Sequence, residues 1–416
     1  MAVIFYSFFL RLYQAGILIA SLFNKKARQW ISGRKGLQAR LETAFAGNTA
    51  PVIWVHCASL GEFEQGRPVV EILKKEYPSH RILLTFFSPS GYEIRKNYEG
   101  ADWIFYLPLD TRRNAVAFVA TVRPSLVVFV KYEYWYHFLH TLKEQKIPAL
   151  LISAIFREHS LFFKPHGGFH RSMLQCFSHI FVQDAESRIR LQTIYPSKDI
   201  TVAGDTRFDR VVQIAAGFRP LPVIESFVAD QPFVIVAGST WPEDEQHLSE
   251  YMNSISNKTA LIIAPHEINA SHINEILRLF PGAVLYSALN NDPGLKSNIL
   301  IIDNIGMLSR LYYYAAVAYI GGGFNSSGIH NTLEAAVFSK PVVFGPNFQK
   351  FAEAVNLVKI KGGFSYSTSN QLETILYDLE SDRDLRHQSG MEAGELVTQN
   401  KGATQIIFNY IRENLL

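Results

Sequence analysis

Short apolar runs rich in β-branched and aromatic residues recur along this 416-residue chain, and helical patterns separate most of them. This alternation predicts parallel sheets with helices on both faces, because each parallel strand needs a crossover before the next one. The chain is long for a single core, so we expect two such doubly wound domains. The candidate strands are Val52–Cys57, Ile82–Phe87, Trp103–Leu107, Leu126–Val130, Ala149–Ile155, Ile180–Val182, Phe233–Ala237, Ala260–Ala264, Ile299–Ile302, Val317–Ile320 and Val342–Phe344.

Shifts in this pattern set the expected domain boundaries. We expect an N-terminal anchor helix with a basic flank, a first domain, a proline-rich linker without a helical period, a second domain, and a C-terminal helix that could cross back to the first domain. Their predicted limits are residues 1–31, 32–216, 217–232, 233–395 and 396–416.

Composition excludes several classes of protein. The two cysteines, Cys57 and Cys176, are too few for a disulfide framework and are typical of a reducing compartment. The formal net charge of +3 does not indicate a nucleic-acid binder. No C-x-x-C pair occurs and no D-x-D motif follows a candidate strand, so we expect no metal site and no cofactor.

Residues 3–23 form an apolar run with about the 20 residues that a membrane span needs. A cleaved signal peptide is an alternative, but no charged segment precedes the run, and lysines follow where small residues should mark a cleavage site. Because Arg11 lies near the centre, the helix either spans with a tilt or lies in the interface. The cations that follow predict a cytoplasmic body held near anionic lipid: Lys25, Lys26, Arg28, Arg34, Lys35 and Arg40.

A glycine-rich turn connects two candidate strands of the second domain. The first strand ends at Gly321-Gly322-Gly323, a polar loop continues to Gly328, and we expect a helix from Asn331 to Lys340. Such a turn lets backbone amides approach an anion at a helix N-terminus. Gly238-Ser239-Thr240, at another junction of strand and helix, is a second candidate anion cradle. Alternatively, Asn331 and Glu334 have nearly the spacing of a capping box.

Glu62 is the candidate catalytic base. It follows the first strand within His56-Cys57-Ala58-Ser59-Leu60-Gly61-Glu62-Phe63, in an expected first helical turn. The helix N-terminus favours its ionised form, and a carboxylate there can remove a proton from a hydroxyl. Alternatively, Glu62 only stabilises the helix by its interaction with the macrodipole.

These segments resemble the Kdo transferases, the GT-B glycosyltransferases that add 3-deoxy-D-manno-octulosonic acid (Kdo) to the lipid A precursor. The resemblance rests on H-x-A-S-x-G-E-F around Glu62, on K-P-V-x-F-G-P from Lys340, and on His330-Asn331 followed by Leu333-Glu334, which are similar to the family's G-G-H-N-x-L-E segment. It implies two Rossmann-like domains that face a cleft, and an inverting transfer from CMP-Kdo. It also implies that Glu62 is the base.

The resemblance assigns the donor site residue by residue. Glu334 would hold the ribose hydroxyls, and His330 and Asn331 would line the pocket. Arg207 occupies the position of a family lysine and would neutralise the donor phosphate. His266 would border the cytidine, whereas no histidine role carries over to Trp241, where the family usually has histidine. The remaining donor candidates are Gly238, Ser239, Thr240, Pro265, Gly322 and Gly328.

The acceptor side is assigned in the same way. The residues implied around the acceptor and sugar are Ser59, Gly61, Ser88, Ser90, Lys131 and Glu133. Lys131 departs from the family, which has glutamate there, so it either contacts an anionic group or simply reaches solvent. The implied partners are CMP-Kdo, the lipid A precursor and the cytoplasmic face of the bacterial inner membrane.

Two other functions are compatible with the sequence. Another GT-B enzyme that uses a UDP-sugar, such as a lipid A disaccharide synthase or an epimerase, would have the same fold. A membrane-bound sensor of sugar nucleotides would bind CMP without turnover. A transfer assay distinguishes the three.

Overall fold

The computed structural model describes residues 1–255, 259–292 and 294–416. Contacts divide the chain into two compact units, one of Met1–Arg210 with Lys401–Leu416 and the other of Val211–Asn400. The segment 217–232, expected as a linker without a helical period, contains a helix from Pro222 to Val228 with Ile224 buried. Proline at the first helical position explains this start, since its fixed φ suits a helix.

Helices occur between nearly all the strands. The α-helices are α1 (Ala2–Ala20), α2 (Lys25–Arg34), α3 (Leu37–Phe45), α4 (Leu60–Glu76), α5 (Pro89–Arg95), α6 (Arg112–Val122), α7 (Tyr136–Glu144), α8 (Gly168–Leu174), α9 (Ala185–Leu191), α10 (Thr206–Ala216), α11 (Pro222–Val228), α12 (Pro242–Ser254), α13 (Ala270–Leu279), α14 (Tyr286–Asn291), α15 (Leu308–Leu311), α16 (Leu333–Ala336), α17 (Ala352–Lys359), α18 (Ser369–Ser381), α19 (Arg383–Asn400) and α20 (Ala403–Asn414). Short 3₁₀ helices cover Leu161–Phe163, Ser197–Asp199 and Tyr312–Tyr314.

The strands form one sheet in each unit. They are β1 (Val52–Cys57), β2 (Arg81–Phe86), β3 (Trp103–Tyr106), β4 (Pro124–Val130), β5 (Ala149–Ala154), β6 (His179–Val182), β7 (Ile200–Val202), β8 (Phe233–Thr240), β9 (Thr259–Pro265), β10 (Val284–Leu285), β11 (Ile299–Ile301), β12 (Val317–Ile320), β13 (Val342–Phe344) and β14 (Gly363–Ser365). The expected strands are all present. The short strands β7, β10 and β14 were not predicted.

The first sheet is parallel, with seven described strands in the order β3-β2-β1-β4-β5-β6-β7. Alternate residues of β1 point to opposite faces, so Trp54 joins one hydrophobic cluster while Ile53 and Val55 join the other. The strand order reverses direction between β1 and β4. Ligands of doubly wound sheets bind outside the strand ends at such a switch point.

The second sheet has the same character. Its seven described strands are parallel and follow the order β10-β11-β9-β8-β12-β13-β14. Its switch point lies between β8 and β12, which pair from Val317 against Ile235 to Ile320 against Gly238. The turns after these two strands therefore lie side by side.

The C-terminal helix α20 belongs to the first unit. The Asp209 carboxylate accepts the amides of Gly402 at 2.5 Å and Thr404 at 2.7 Å, so it caps the first turn of α20. Ile407 and Ile411 of α20 are buried in the cluster that also contains Val70.

Candidate active site

Glu62 lies in the first turn of α4, directly after β1 and therefore at the switch point of the first sheet. The Ser59 hydroxyl donates to its carboxylate. Burial raises the pKa of Glu62 above its ordinary value, and the nearby Glu133 raises this pKa further, whereas backbone amides and Lys131 lower it. A half-buried carboxylate with a raised pKa suits general-base chemistry.

Glu133 follows β4 on the other side of the switch point and is buried. Its Oε2 accepts a hydrogen bond from Trp135 Nε1 at 2.6 Å and lies 2.9 Å from Nε2 of His56. The other ring nitrogen of His56 lies 2.8 Å from the Thr85 hydroxyl. The structure thus holds the Glu133 carboxylate between Trp135 and His56, a histidine to which the sequence assigned no role.

Lys131 directly follows β4 and has a φ of 70°. A left-handed backbone is unfavourable for a non-glycine residue by about 1–2 kcal/mol, and such strain gathers at functional sites. Ser153, near the end of the neighbouring β5, has a φ of 54°. The Lys131 amide donates to the Ile152 carbonyl at 2.9 Å, which holds the turn against β5.

Ser88 and Ser90 lie at the start of α5, beside the turn that carries Glu62. The Ser88 side chain caps α5 by accepting the Ser90 amide at 3.3 Å, and the two hydroxyls are 3.0 Å apart. The Ser88 amide donates to Ala58 at 2.7 Å, so the turns after β1 and β2 are joined. Gly61 is exposed in the same region.

Arg207 lies at the start of α10 in the first unit. Its Nε donates to Asp205 Oδ2 at 2.8 Å, and its backbone amide donates to Asp205 Oδ1 at 2.9 Å. Arg207 also lowers the pKa of Tyr132, which burial raises and Glu62 raises further. Asp205 therefore orients the guanidinium and offsets part of the charge that the sequence assigned to a donor phosphate.

The glycine turn of the second unit differs from the expectation. Gly322, with a φ of 90°, donates its amide to Asp244 Oδ2 at 2.8 Å, and Gly328, with a φ of 84°, donates to Asn325 at 3.0 Å. These amides bind protein groups where we had expected them to face an anion. Asp244 lies in the first turn of α12, and its carboxylate occupies the Gly322 amide that an anion would need.

The helix after the glycine turn is shorter than expected. It covers Leu333–Ala336, and its N-cap is Thr332 in place of Asn331. Asn331 instead accepts the Leu333 amide at 3.2 Å and donates to Glu334 Oε1 at 3.1 Å. The helix ends early because Ser339 has a φ of 54° and the following residue precedes a proline.

Three aromatic rings lie together near the switch point of the second sheet. The Trp241 ring stacks on His266 at 4.6 Å, and His266 lies 4.5 Å from the ring of His330. Trp241 Nε1 donates to His330 Nε2 at 3.3 Å, so His330 accepts as a neutral ring. Burial, together with a smaller effect of His266, lowers the pKa of His330 to about 4. The amide of His266, directly after Pro265, donates to Thr240 at 3.0 Å.

Sequence reasoning missed two buried acids that organise this site. Asp244 accepts the amide of Trp241, the amide of Gly322 and the hydroxyl of Tyr319. Glu245 accepts from Thr240 at 2.8 Å and lies 2.9 Å from His272. Their only sequence signal was a run of acids in a first helical turn.

Within the described part of the chain, no group of three or more His, Cys, Asp or Glu side chains could hold a metal ion.

Comparison with known proteins shows which family the chain is similar to. Residues 35–210 match the sequence model of the family described as 3-deoxy-D-manno-octulosonic-acid transferase, or Kdo transferase. The resemblance to the Kdo transferases is confirmed. The Kdo transferase of Haemophilus influenzae is 26% identical over 378 residues, with 87% of each chain covered. The Kdo transferase of Chlamydia muridarum is 28% identical over 369 residues, with 85% of this chain and 84% of that protein covered.

Solved structures agree on the fold. UDP-GlcNAc 2-epimerase from Neisseria meningitidis, bound to UDP-GlcNAc, superposes with a TM-score of 0.61 at 16% identity, with 88% of this chain and 100% of that chain covered. At this identity the likeness concerns the fold alone. The two parallel, doubly wound sheets place the chain in the GT-B fold class. An N-terminal apolar helix is present in addition.

Proposed function

We propose that this chain is an inverting glycosyltransferase of lipopolysaccharide synthesis that moves Kdo from CMP-Kdo to a hydroxyl of a lipid A precursor of the lipid IVA type. The family match spans residues 35–210 and so includes Glu62. The observation that carries the proposal is the position of Glu62 at the switch point of the first sheet, half-buried and with a raised pKa.

In this reaction Glu62 removes the proton of the acceptor hydroxyl. The acceptor oxygen forms a bond to the anomeric carbon of Kdo, while the bond between that carbon and the phosphate oxygen breaks on the opposite face. CMP leaves with the electron pair, and the configuration inverts. Burial supports this role, because a carboxylate with a raised pKa accepts a proton more readily than an exposed one.

The second unit supplies the donor site in this proposal. The rings of Trp241 and His266 give the base a surface on which to stack, and Glu334 binds the ribose hydroxyls. Neutral His330 can accept or donate a hydrogen bond without adding a positive charge. Thr240 and Gly238 end β8 beside these groups.

The proposed reaction needs no metal ion. A CMP leaving group carries one phosphate, and Arg207 with the helix N-termini can stabilise its charge. The proposed location is the cytoplasmic face of the bacterial inner membrane. Among the residues that the structure describes, one helix, α1, is long and apolar enough to cross a membrane, with a mean hydropathy of 1.6.

The test is transfer from freshly generated CMP-Kdo to tetraacylated lipid A precursor, followed by product mass. We expect a mass gain of one or more Kdo units, which persists in EDTA. Glu62→Gln should lower turnover by about 10²–10⁴-fold, the usual share of general-base catalysis. A folded Glu62→Gln variant with near wild-type turnover would remove Glu62 from this role.

The matched control is Glu64→Gln on the same helix. Glu64 pairs with Arg95 at 2.7 Å, so the change removes a charge without touching the proposed base. We expect it to keep most of the activity. A parallel panel of UDP-sugars tests the other GT-B enzymes, and CMP binding without turnover would indicate a sensor.

A further inference from the structure

The N-terminal helix α1 has two unlike faces. On one face the Tyr6 hydroxyl donates to Asp110 at 2.6 Å, Ser7 lies 3.2 Å from His137, and Leu10 is buried. On the other face large apolar side chains are 55–72% exposed, namely Ile4, Phe5, Phe8, Phe9, Leu12 and Ile19. A contiguous apolar surface of this kind marks an interaction site.

The packed face determines how α1 can meet a bilayer. It runs from Tyr6 to Ile17, the middle part of the helix, and it lies against the folded first unit. A helix that crossed the bilayer in this arrangement would carry Asp110 and His137 into the hydrocarbon, where ionisable groups are costly. An orientation in the membrane plane avoids this cost, because only the outer face enters the acyl region.

A groove with a volume of about 740 Å³ runs between α1 and the segment from α2 to α3. Ala15 and Leu18 form one wall, Trp30 and Ile31 form the other, and Leu37 and Leu109 close it. The helix α2, which carries Trp30 and Ile31, packs closely against the first unit. At Gly33 of α2 an added Cβ would lie 2.1 Å from the ring of Tyr106. This volume and apolar lining suit a hydrocarbon chain.

The charges around the groove are all of one sign. Arg11, Arg34 and Lys35 line it, and its lining contains no acid. Arg34 donates to the carbonyls of Trp30, Phe87 and Leu107, which fixes its cation in place, whereas Arg11 and Lys35 are exposed. Residues 1–41 contain no Asp or Glu. An anionic amphiphile complements this surface.

We propose that α1 lies in the plane of a bilayer surface and that the groove beside it holds an acyl chain of an anionic bilayer lipid, whose phosphate pairs with Arg11 and Lys35. The inference rests on the proposed membrane attachment, and the experiment measures attachment and groove occupation separately. Trp30 is 5% exposed and lines the groove, so a chain in the groove contacts its ring.

The test uses the full-length protein with phosphatidylcholine vesicles that contain phosphatidylglycerol brominated on its acyl chains. Bromine quenches tryptophan on contact, and the emission difference between wild type and Trp30→Phe isolates Trp30. We expect this difference to fall at least about twofold relative to vesicles without bromine, and flotation to show bound protein. Trp30 emission that bromine leaves unchanged while the protein floats would overturn the groove assignment, and failure to float would overturn the attachment itself.

Two pairs of variants distinguish the groove from general contact with the bilayer. Ala15→Phe fills the groove and should abolish the Trp30 quenching, whereas Ala20→Phe, the same change outside the groove lining, should leave it intact. Arg11→Gln with Lys35→Gln should lower the quenching more than Lys25→Gln with Lys26→Gln, which removes the same charge elsewhere. Equal effects within either pair, or a stable dimer that shields Trp30 without lipid, would contradict the proposal.

Discussion

The Asp244 carboxylate accepts the Gly322 amide at 2.8 Å across 78 positions of sequence. This bond joins the turn after β8 to the turn after β12 at the switch point of the second sheet. The same carboxylate accepts the Tyr319 hydroxyl at 2.7 Å and the Trp241 amide at 2.9 Å. One buried acid therefore sets the geometry of the glycine turn and the position of the aromatic rings.

Asp244→Ala should destabilise the second unit and weaken CMP binding. Loss of the carboxylate leaves buried donors unsatisfied, at about 1–3 kcal/mol for each group. Glu243→Ala, the same kind of truncation on an exposed neighbour, should change the free energy of unfolding by no more than about 0.5 kcal/mol. Urea unfolding and calorimetric titration with CMP test both effects. Equal stability of the two variants would show that the bonds of Asp244 are dispensable.

The acid limb of the pH profile should report Glu62. Because burial raises its pKa, activity should fall on acidification at a higher pH than for an exposed glutamate, whose pKa is about 4.3. Glu133 raises this pKa and Lys131 lowers it. Glu133→Gln should therefore move the acid limb of kcat/KM to lower pH, and Lys131→Met should move it to higher pH. Shifts in the same direction would argue against Glu62 as the titrating base.

Stability on the acid side should depend on His330. Burial lowers its pKa in the folded chain to about 4, against about 6.5 for an unperturbed histidine. The unfolded chain then binds a proton that the folded chain does not, so stability is lost as the pH falls from about 6.5 toward 4. Between pH 7 and pH 5, the free energy of unfolding of His330→Asn should fall less than that of wild type. Urea unfolding of both proteins at matched pH values measures the difference. His387→Asn, at an exposed histidine of the same unit, should behave like wild type.

The sequence predicted most of the sheet framework, for a physical reason. Buried parallel strands must be apolar on both faces, so β1 and β4 stand out as continuous runs. The edge strands β10 and β14 are two and three residues long, too short for any pattern. Glu62 could be proposed as the base because its candidate role rests on a local string of residues. Asp244 and His56 could not, since their roles depend on partners far away in sequence.

The helix after the glycine turn shows the same limit. The sequence shows a spacing between Asn331 and Glu334 that is nearly that of a capping box, but the N-cap of the helix in the structure is Thr332. Tertiary packing decided this, because Leu333 and Ala336 are fully buried and fix the phase of the helix. Local rules predict that a helix starts there, and packing decides at which residue.

The C-terminal helix α20, which packs into the first unit, carries two neighbouring isoleucines that differ in burial. Ile407 is 0% exposed in the cluster with Val70, whereas Ile406 is 40% exposed. Ile407→Ala should lower the free energy of unfolding by about 2–5 kcal/mol through lost transfer energy and a cavity, and Ile406→Ala should change it by no more than about 0.5 kcal/mol. Both changes have the same effect on helix propensity, so the difference reports packing alone. Urea unfolding of the full chain measures it. Equal losses for the two variants would mean that α20 does not pack into the first unit in solution, and the Asp209 cap at Gly402 would then have no helix to hold.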